Sequence, residues 1–208
     1  MKQAIYLIIA GMMVVTTVLF SGCSSSGPEP VKEQQDALEK RPDWTSKTPP
    51  STDTTHFFVG LSEVYRDESK ARDDSYRNAA NRVIGFVGSS AKVKFEKRVV
   101  AYGLSGGVID PIGASKELET FLSESVVSNL KEDDTYPEIE KTSSGKAYKY
   151  FMLTSITKQS LNEPTEKFFE KKKKEAEEQK RKGLLKDQAD NVIKFWDSTK
   201  DDPFFKNK

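Results

Sequence analysis

The sequence is poor in the residues that most enzymes use for catalysis and metal binding. It has one histidine, His56, and one cysteine, Cys23, among 208 residues. A single histidine poorly supplies a zinc site or a Ser-His-Asp triad, and the abundant carboxylates stand in no catalytic motif. A lone cysteine also excludes an internal disulfide. These shortages predict a protein that is not an enzyme and that uses no metal or other cofactor.

An excess of one charge sign is also missing, since 33 basic residues are balanced by 32 acidic ones. This balance predicts no binding of nucleic acid. The glycine-rich residues 103–107 lack the Walker lysine and the spacing of a dinucleotide-binding motif. They are predicted to form a mobile loop.

The clearest functional signal is the stretch Leu19-Phe20-Ser21-Gly22-Cys23. It ends an apolar run that begins at residue 4, after the charged Lys2, and it places small residues before the cysteine, which is the pattern of a secretory signal. The cysteine directly after the predicted cleavage point, between Gly22 and Cys23, resembles bacterial lipoprotein signals, in which the thiol is acylated and becomes the new N-terminus. Phe20 stands where such signals usually have leucine. The alternative is a transmembrane anchor, although a run of roughly 17 residues is short against the about 20 needed.

Residues 1–22 are therefore predicted to be a lipoprotein signal peptide, and residues 23–41 a flexible tether rich in serine and proline. In lipoproteins of bacteria with two membranes, an aspartate after the acylated cysteine often means retention at the inner membrane. Here that position is Ser24, which favours the outer membrane. The sequence predicts a protein of the cell envelope, held at the membrane by N-terminal acyl chains such as palmitate.

Residues 42–162 show the patterns of one small α+β domain. Strand-like composition or alternation occurs at 56–62, 93–101, 135–142 and 146–157, and helical spacing at 69–88 and 115–131. Ser69 is predicted to cap the first helix, the acidic residues 132–134 to form a solvated turn, and residues 143–145 to form a hairpin turn. Part of the second helix, Leu122, Val126 and Leu130, also fits a strand. Residues 146–157 are apolar on both faces, which indicates a central strand.

Three single residues have structural interpretations. Trp44 is predicted to pack against the core rather than to offer a platform for a ligand. Gly60, inside a strand, indicates a close backbone approach or a bulge. His56 is predicted to be partly exposed and to have no special task, because no second histidine can join it.

Residues 163–208 differ in character and are predicted to form a charged C-terminal helix with an amphipathic end. Residues 170–182 offer opposite charges at i,i+4 spacing, in the pairs Glu170–Lys174, Glu177–Arg181 and Glu178–Lys182. Gly183 interrupts this helix. An apolar stripe at helical spacing follows, made of Leu185, Ala189, Val192, Ile193 and Trp196. The stripe either docks onto the same domain or contacts another protein, and it is the candidate protein-contact site.

A resemblance to a known family rests on short motifs in a fixed order. Pro42-Asp43-Trp44 comes first, then Phe58-Val59-Gly60, then Ala71-Arg72 in an alanine-bearing helix. This order resembles the twenty-kilodalton outer-membrane lipoprotein family of Helicobacter type, which includes flagellar-disk lipoproteins. The resemblance covers residues 41–161 and departs from the family in a longer loop at 103–113 and in the C-terminal helix. It implies helices on one side of a small antiparallel sheet, and a structural role in the envelope or near a flagellum.

The leading functional hypothesis is therefore a lipid-anchored structural or assembly module of the envelope. Its sheet edges and its C-terminal stripe would contact another envelope protein or further copies of the same chain. The alternative is a binding module for a saccharide or cell-wall fragment. In that alternative Trp44, Tyr102 and the loop 103–107 line a groove, because aromatic rings stack on sugars.

Overall fold

The structure is a computed structural model, and it describes residues 41–200. The predicted signal peptide and the predicted tether up to residue 40 lie outside the described residues, as do residues 201–208 and the side chain of Lys186. The described chain belongs to one compact unit that begins at Arg41.

The predicted α+β class is confirmed. In chain order the elements are β1 (Thr55–Leu61), α1 (Glu68–Ala101), α2 (Pro111–Asn129), β2 (Lys131–Thr142), β3 (Gly145–Thr157), α3 (Lys158–Arg181) and α4 (Ala189–Lys200). One-turn 3-10 helices, Asp43–Thr45 and Lys186–Gln188, precede β1 and α4.

The three strands form one antiparallel sheet in the order β1-β3-β2. The apolar residues on both faces of β3 correctly predicted a central strand, and the hairpin closes on the pair Thr142↔Gly145 as expected. Helix α1 packs on one face of β1 and β3. On the opposite face the guanidinium of Arg41 lies over the Phe151 ring, 4.3 Å from its centroid. Arg41, the last residue of the predicted tether, therefore lies on the sheet face opposite α1.

Helix α1 corrects two sequence predictions. It starts one residue before Ser69, with Asp67 as the capping residue that accepts a hydrogen bond from the Lys70 amide. It also continues through residues 93–101, where alternation predicted a strand. The reason is a buried row at four-residue spacing, made of Val83, Val87, Ala91 and Phe95, which keeps one helical face on the core.

The second helix is confirmed over most of its predicted length. It begins earlier, at Pro111, because the Asp110 carboxylate accepts the Ile112 amide and a proline suits the first turn. The predicted solvated turn at 132–134 is wrong. These residues belong to β2, where the register shifts between Glu132 and Asp134, so that the excess residue forms a bulge in the strand.

The charged C-terminal helix begins earlier than predicted. Helix α3 follows β3 without a loop, starting at Lys158 with Thr157 as cap, so the domain boundary predicted at residue 162 falls inside it. Of the predicted ion pairs, Glu178–Lys182 forms at 2.6 Å, whereas Glu170 bonds to Lys200 of α4 at 2.7 Å. Gly183 ends the helix with φ +71°, and α4 turns back along it. The C-terminal helices are thus part of the same compact unit.

Candidate functional site

The predicted lipidation and cleavage residues, Cys23 and Gly22, lie outside the described residues. The predictions that fall on residues 41–200 can be compared with their positions in the fold. Among these residues no helix combines the length and apolar composition of a membrane span. The same part of the chain holds no cluster of three or more His, Cys, Asp or Glu side chains placed to bind a metal ion.

The apolar stripe predicted as a protein-contact site is used inside the domain. Ala189, Val192 and Trp196 are at most 6% exposed, and Leu185 and Ile193 are half-buried against the same core. The interpretation as a surface for a partner is therefore wrong for this fold, and the docking alternative holds. The sequence analysis missed Phe195, a fully buried residue of α4. Its ring centroid lies 5.9 Å from that of Phe95 in α1 and 4.7 Å from that of Trp196.

The residues proposed to line a saccharide groove are not brought together. Trp44 is half-buried, not in the core as predicted, and its indole N–H donates to the Asp134 carboxylate of β2 at 2.9 Å. Tyr102 follows the far end of α1. The hydroxyl of Tyr76 in the same helix bonds to the Leu130 carbonyl, just before β2, and α1 extends roughly 38 Å from Tyr76 to its end. Trp44 therefore contacts β2, whereas Tyr102 lies at the end of α1 that is remote from Tyr76 and its contact before β2.

His56 is buried, not partly exposed as predicted, with 3% of its surface accessible. Its Nδ1 lies 2.9 Å from the Ser51 hydroxyl, and its ring packs 5.1 Å from the Phe86 ring centroid. Burial, with a smaller effect from nearby Lys158, lowers the pKa of His56 below its usual value. The residue is an internal polar group that the fold holds neutral over most of the physiological pH range.

One cavity among the described residues is an open groove of about 740 Å³ beside the start of α1. Its lining residues are Tyr65, Lys70, Arg72, Asp73, Tyr76, Arg77, Glu132 and Met152. Its arginines already have carboxylate partners: Arg72 contacts Glu132 at 2.6 Å and Arg77 contacts Asp74 at 3.4 Å. The groove therefore presents paired charges to solvent and offers no concentrated cationic site for an anion.

A short hydrogen bond lies at the same end of the sheet. The Tyr150 hydroxyl donates to the Glu68 carboxylate at 2.5 Å. Burial, this hydrogen bond and the carboxylate charge together raise the pKa of Tyr150 to about 12. The phenol is therefore a proton donor that fixes β3 to the first turn of α1, and it is too weak an acid for proton transfer near neutral pH.

The two edges of the sheet differ in chemistry. Strand β2 has the features that prevent edge-to-edge pairing: the bulge between Glu132 and Asp134, a proline at 137 and many charged side chains. These charged residues are Lys131, Glu132, Asp133, Asp134, Glu138, Glu140 and Lys141. Strand β1 forms the other edge, and residues 54–62 contain no charged residue and no proline. The β1 edge therefore lacks the charges and the proline of the β2 edge, and Thr52 bonds to its outer side at Thr55.

Comparisons with known proteins add no relative. No protein-family model, curated protein or solved structure matches this chain. The resemblance to the lipoprotein family accordingly stays a prediction from the sequence motifs.

Proposed function

We propose that this protein is an envelope lipoprotein, anchored at the outer membrane by acyl chains on Cys23, whose folded domain is a structural or assembly module. The observation that carries the proposal is the position of Cys23, at the end of a lipoprotein-type signal, relative to the compact unit that begins at Arg41. The residues between them span at most roughly 60 Å when fully extended. A domain on such a tether works close to the membrane surface.

The arrangement of the described residues supports a structural role. The four helices and the sheet enclose one apolar core, and the open groove beside α1 has its arginines engaged by carboxylates. A single acyl chain binds a membrane only marginally, so the stable attachment that an assembly module needs implies more than one chain on Cys23.

The test compares acylation of the parent chain with that of Cys23→Ser in cells fed an alkyne-tagged fatty acid. We expect the parent to carry the tag and to begin at Cys23 by mass spectrometry. Cys23→Ser should carry no tag and should retain residues 1–22, because lipoprotein signals are cleaved only after the cysteine is modified.

A matched control keeps the number of cysteines constant. The double variant Cys23→Ser, Ser26→Cys moves the thiol three residues downstream, where Ser24 and Ser25 precede it instead of Ser21 and Gly22. We expect no tag on this variant. An untagged parent, or a tag that persists on Cys23→Ser, would contradict the proposed function.

A further inference from the structure

The helices α1, α2 and α3 each have one end at the sheet and one end away from it. At the sheet, α1 packs on β1 where Ser75 meets Gly60, α2 leads into β2, and α3 follows β3 without a loop. From there α1 extends roughly 38 Å beyond Tyr76, and α3 extends roughly 36 Å. The ends away from the sheet, residues 99–112 and 180–185, are named the helix tip.

One cavity and one apolar core bring the parts of the helix tip together. Asp110, before α2, and Gln179, near the end of α3, line a common cavity of about 300 Å³. Leu104 and Ile109, from the loop after α1, are buried in the core against which Leu185 also packs. The ends of the three helices therefore lie side by side.

The helix tip exposes large apolar side chains. Val100 is 80% exposed in the last turn of α1, Ile112 is 48% exposed in the first turn of α2, and Leu184 is 67% exposed after α3. Residues 99–109 contain no charged residue, in a chain of which 31% is charged. Single exposed apolar residues are ordinary on protein surfaces, but a set gathered at one end of a domain indicates a contact surface.

Charge distinguishes the helix tip from the sheet. Helix α3 ends in a run of three basic residues, Lys180, Arg181 and Lys182. Lys180 bonds to Asp190 and Lys182 to Glu178, both at 2.6 Å, whereas Arg181 is exposed. Strand β2 instead carries five acidic residues and two lysines. Because anionic phospholipids attract basic segments and repel acidic ones, a lipid surface favours the helix tip over the β2 edge.

We propose that the helix tip contacts the phospholipid surface on which the protein is anchored. Val100, Ile112 and Leu184 enter the boundary between headgroups and acyl chains, which such apolar side chains penetrate by about 5–10 Å. The basic side chains at the end of α3 extend beside them to the headgroup phosphates. The contact holds the domain end-on to the membrane, with the sheet directed away from it.

The inference rests on the proposed function, because the acyl chains on Cys23 hold the helix tip near lipid. The residues between Cys23 and Arg41 span at most roughly 60 Å. Arg41 lies over Phe151, at the level where α1 packs on the sheet, and the helix tip is roughly 40 Å from that level along α1. The tether is therefore long enough for this orientation. Anchoring also raises the effective concentration of the tip at the surface, so that a few apolar residues suffice.

The test measures lipid contact of the full chain in vesicles of phosphatidylethanolamine and phosphatidylglycerol. Helix α2 offers a matched pair, because Ile112 at the helix tip and Val127 near the sheet are 48% and 50% exposed and lie roughly 22 Å apart along the helix. Each residue is replaced by cysteine and labelled with an environment-sensitive dye, and a share of the lipids carries a nitroxide quencher on the acyl chain.

We expect nitroxide quenching to be at least about threefold stronger for Ile112→Cys than for Val127→Cys, because the contact reaches only a short depth into the lipid. Equal quenching of the two labels, or stronger quenching at position 127, would overturn the proposal. A blue-shifted emission at position 112 without nitroxide quenching would mean that protein covers the helix tip, and it would overturn the proposal as well.

A second variant tests the apolar residues directly. In the Ile112→Cys chain, Leu184→Asp places a charge at the helix tip, and we expect it to lower the quenching at least about twofold, with unchanged circular dichroism. The matched control is Ile139→Asp, at a position 47% exposed on β2, which should leave the quenching unchanged. A folded Leu184→Asp chain with full quenching would contradict the lipid contact, and if this variant does not fold, the comparison within α2 decides.

The parent chain, treated with the dye in parallel, separates this inference from the proposed function. Its sole cysteine is Cys23, so a labelled parent reports an unmodified thiol and contradicts the proposed function. The comparison within α2 is then made in a Cys23→Ser background, where it still supports or overturns the lipid contact by itself.

Discussion

Gly60 of β1 lies so close to Ser75 of α1 that a β-carbon on Gly60 would overlap the Ser75 carbonyl oxygen. The same hypothetical atom would lie 2.9 Å from the Ala79 side chain. Helix α1 therefore packs on the sheet backbone to backbone at this point, because both elements carry small residues there. The contact fixes the position of α1 relative to β1, and with it the Asn78 side chain that occupies one end of the β1 edge.

We expect Gly60→Ala to destabilise the fold by more than about 2 kcal/mol, since a carbonyl oxygen of a packed helix cannot move aside as a flexible side chain can. The matched control is Gly85→Ala in the interior of α1, where nothing lies within 4 Å of the new β-carbon. That change should stabilise the helix by up to about 1 kcal/mol. Urea unfolding of a chain that begins at residue 27 measures both, and equal effects of the two variants would refute the close packing.

The docking of α4 can be tested through the aromatic cluster. Phe195 is fully buried, so Phe195→Ala should lower the free energy of unfolding by about 3–5 kcal/mol. Val100, on the exposed surface of α1, is 80% accessible. Val100→Ala should change the free energy of unfolding by less than about 0.5 kcal/mol.

The packing of α4 in the core predicts that α4 unfolds together with the rest of the domain, in one cooperative transition. In a Trp44→Phe background the fluorescence of Trp196 reports on α4 alone, because the chain has two tryptophans. We expect this fluorescence to change together with the far-ultraviolet circular dichroism. A separate, earlier fluorescence transition would mean that α4 unfolds independently of the sheet.

The raised pKa of Tyr150 predicts that the folded protein loses stability at high pH. Its pKa is raised to about 12 in the folded protein, above the ordinary tyrosine value of 10. Unfolded chains therefore release this proton first, and the contribution of Tyr150, complete below pH 10, is lost as the pH rises from 10 towards 12. Tyr150→Phe should remove this part of the pH dependence. Spectrophotometric titration of tyrosinate should show a late-titrating group in the parent that is absent from this variant.

The lowered pKa of His56 predicts that the folded protein loses stability at acidic pH. Burial, reinforced by Lys158, lowers the pKa of this histidine below its usual value of 6.5. The unfolded chain then binds the proton more readily, so the contribution of His56 is present above pH 6.5 and decreases as the pH falls through the lowered pKa. His56→Asn, which retains a group able to bond to Ser51, should weaken the decline in unfolding free energy between pH 6.5 and 5. An unchanged decline would mean that other groups cause it.

Local patterns in the sequence sufficed for much of the fold. The β-branched and aromatic composition of β1, the i,i+3 and i,i+4 spacing of α2 and the turn residues before Gly145 act over a few residues, and each element was predicted near its observed place. The close approach at Gly60 was also predicted, because a glycine inside an apolar strand typically marks a bulge or a point where another backbone comes near. The predicted lipoprotein signal around Cys23 depends on sequence alone, and the proposal of where the protein works rests on it.

Some sequence patterns are compatible with both a helix and a strand, or with packing against either the same domain or another protein. In these cases only the tertiary structure decides between the alternatives. Residues 93–101 alternate like a strand. However, Phe95 continues a buried row of α1, and its ring packs against that of Phe195, which lies far away in the sequence. The stripe around Trp196 could have faced another protein. It is buried because α3 begins directly after β3 and brings α4 back onto α1 and α3. The position of β1 at an edge of the sheet likewise emerges only from the strand order, since a sequence states which residues are apolar but not which neighbours cover them.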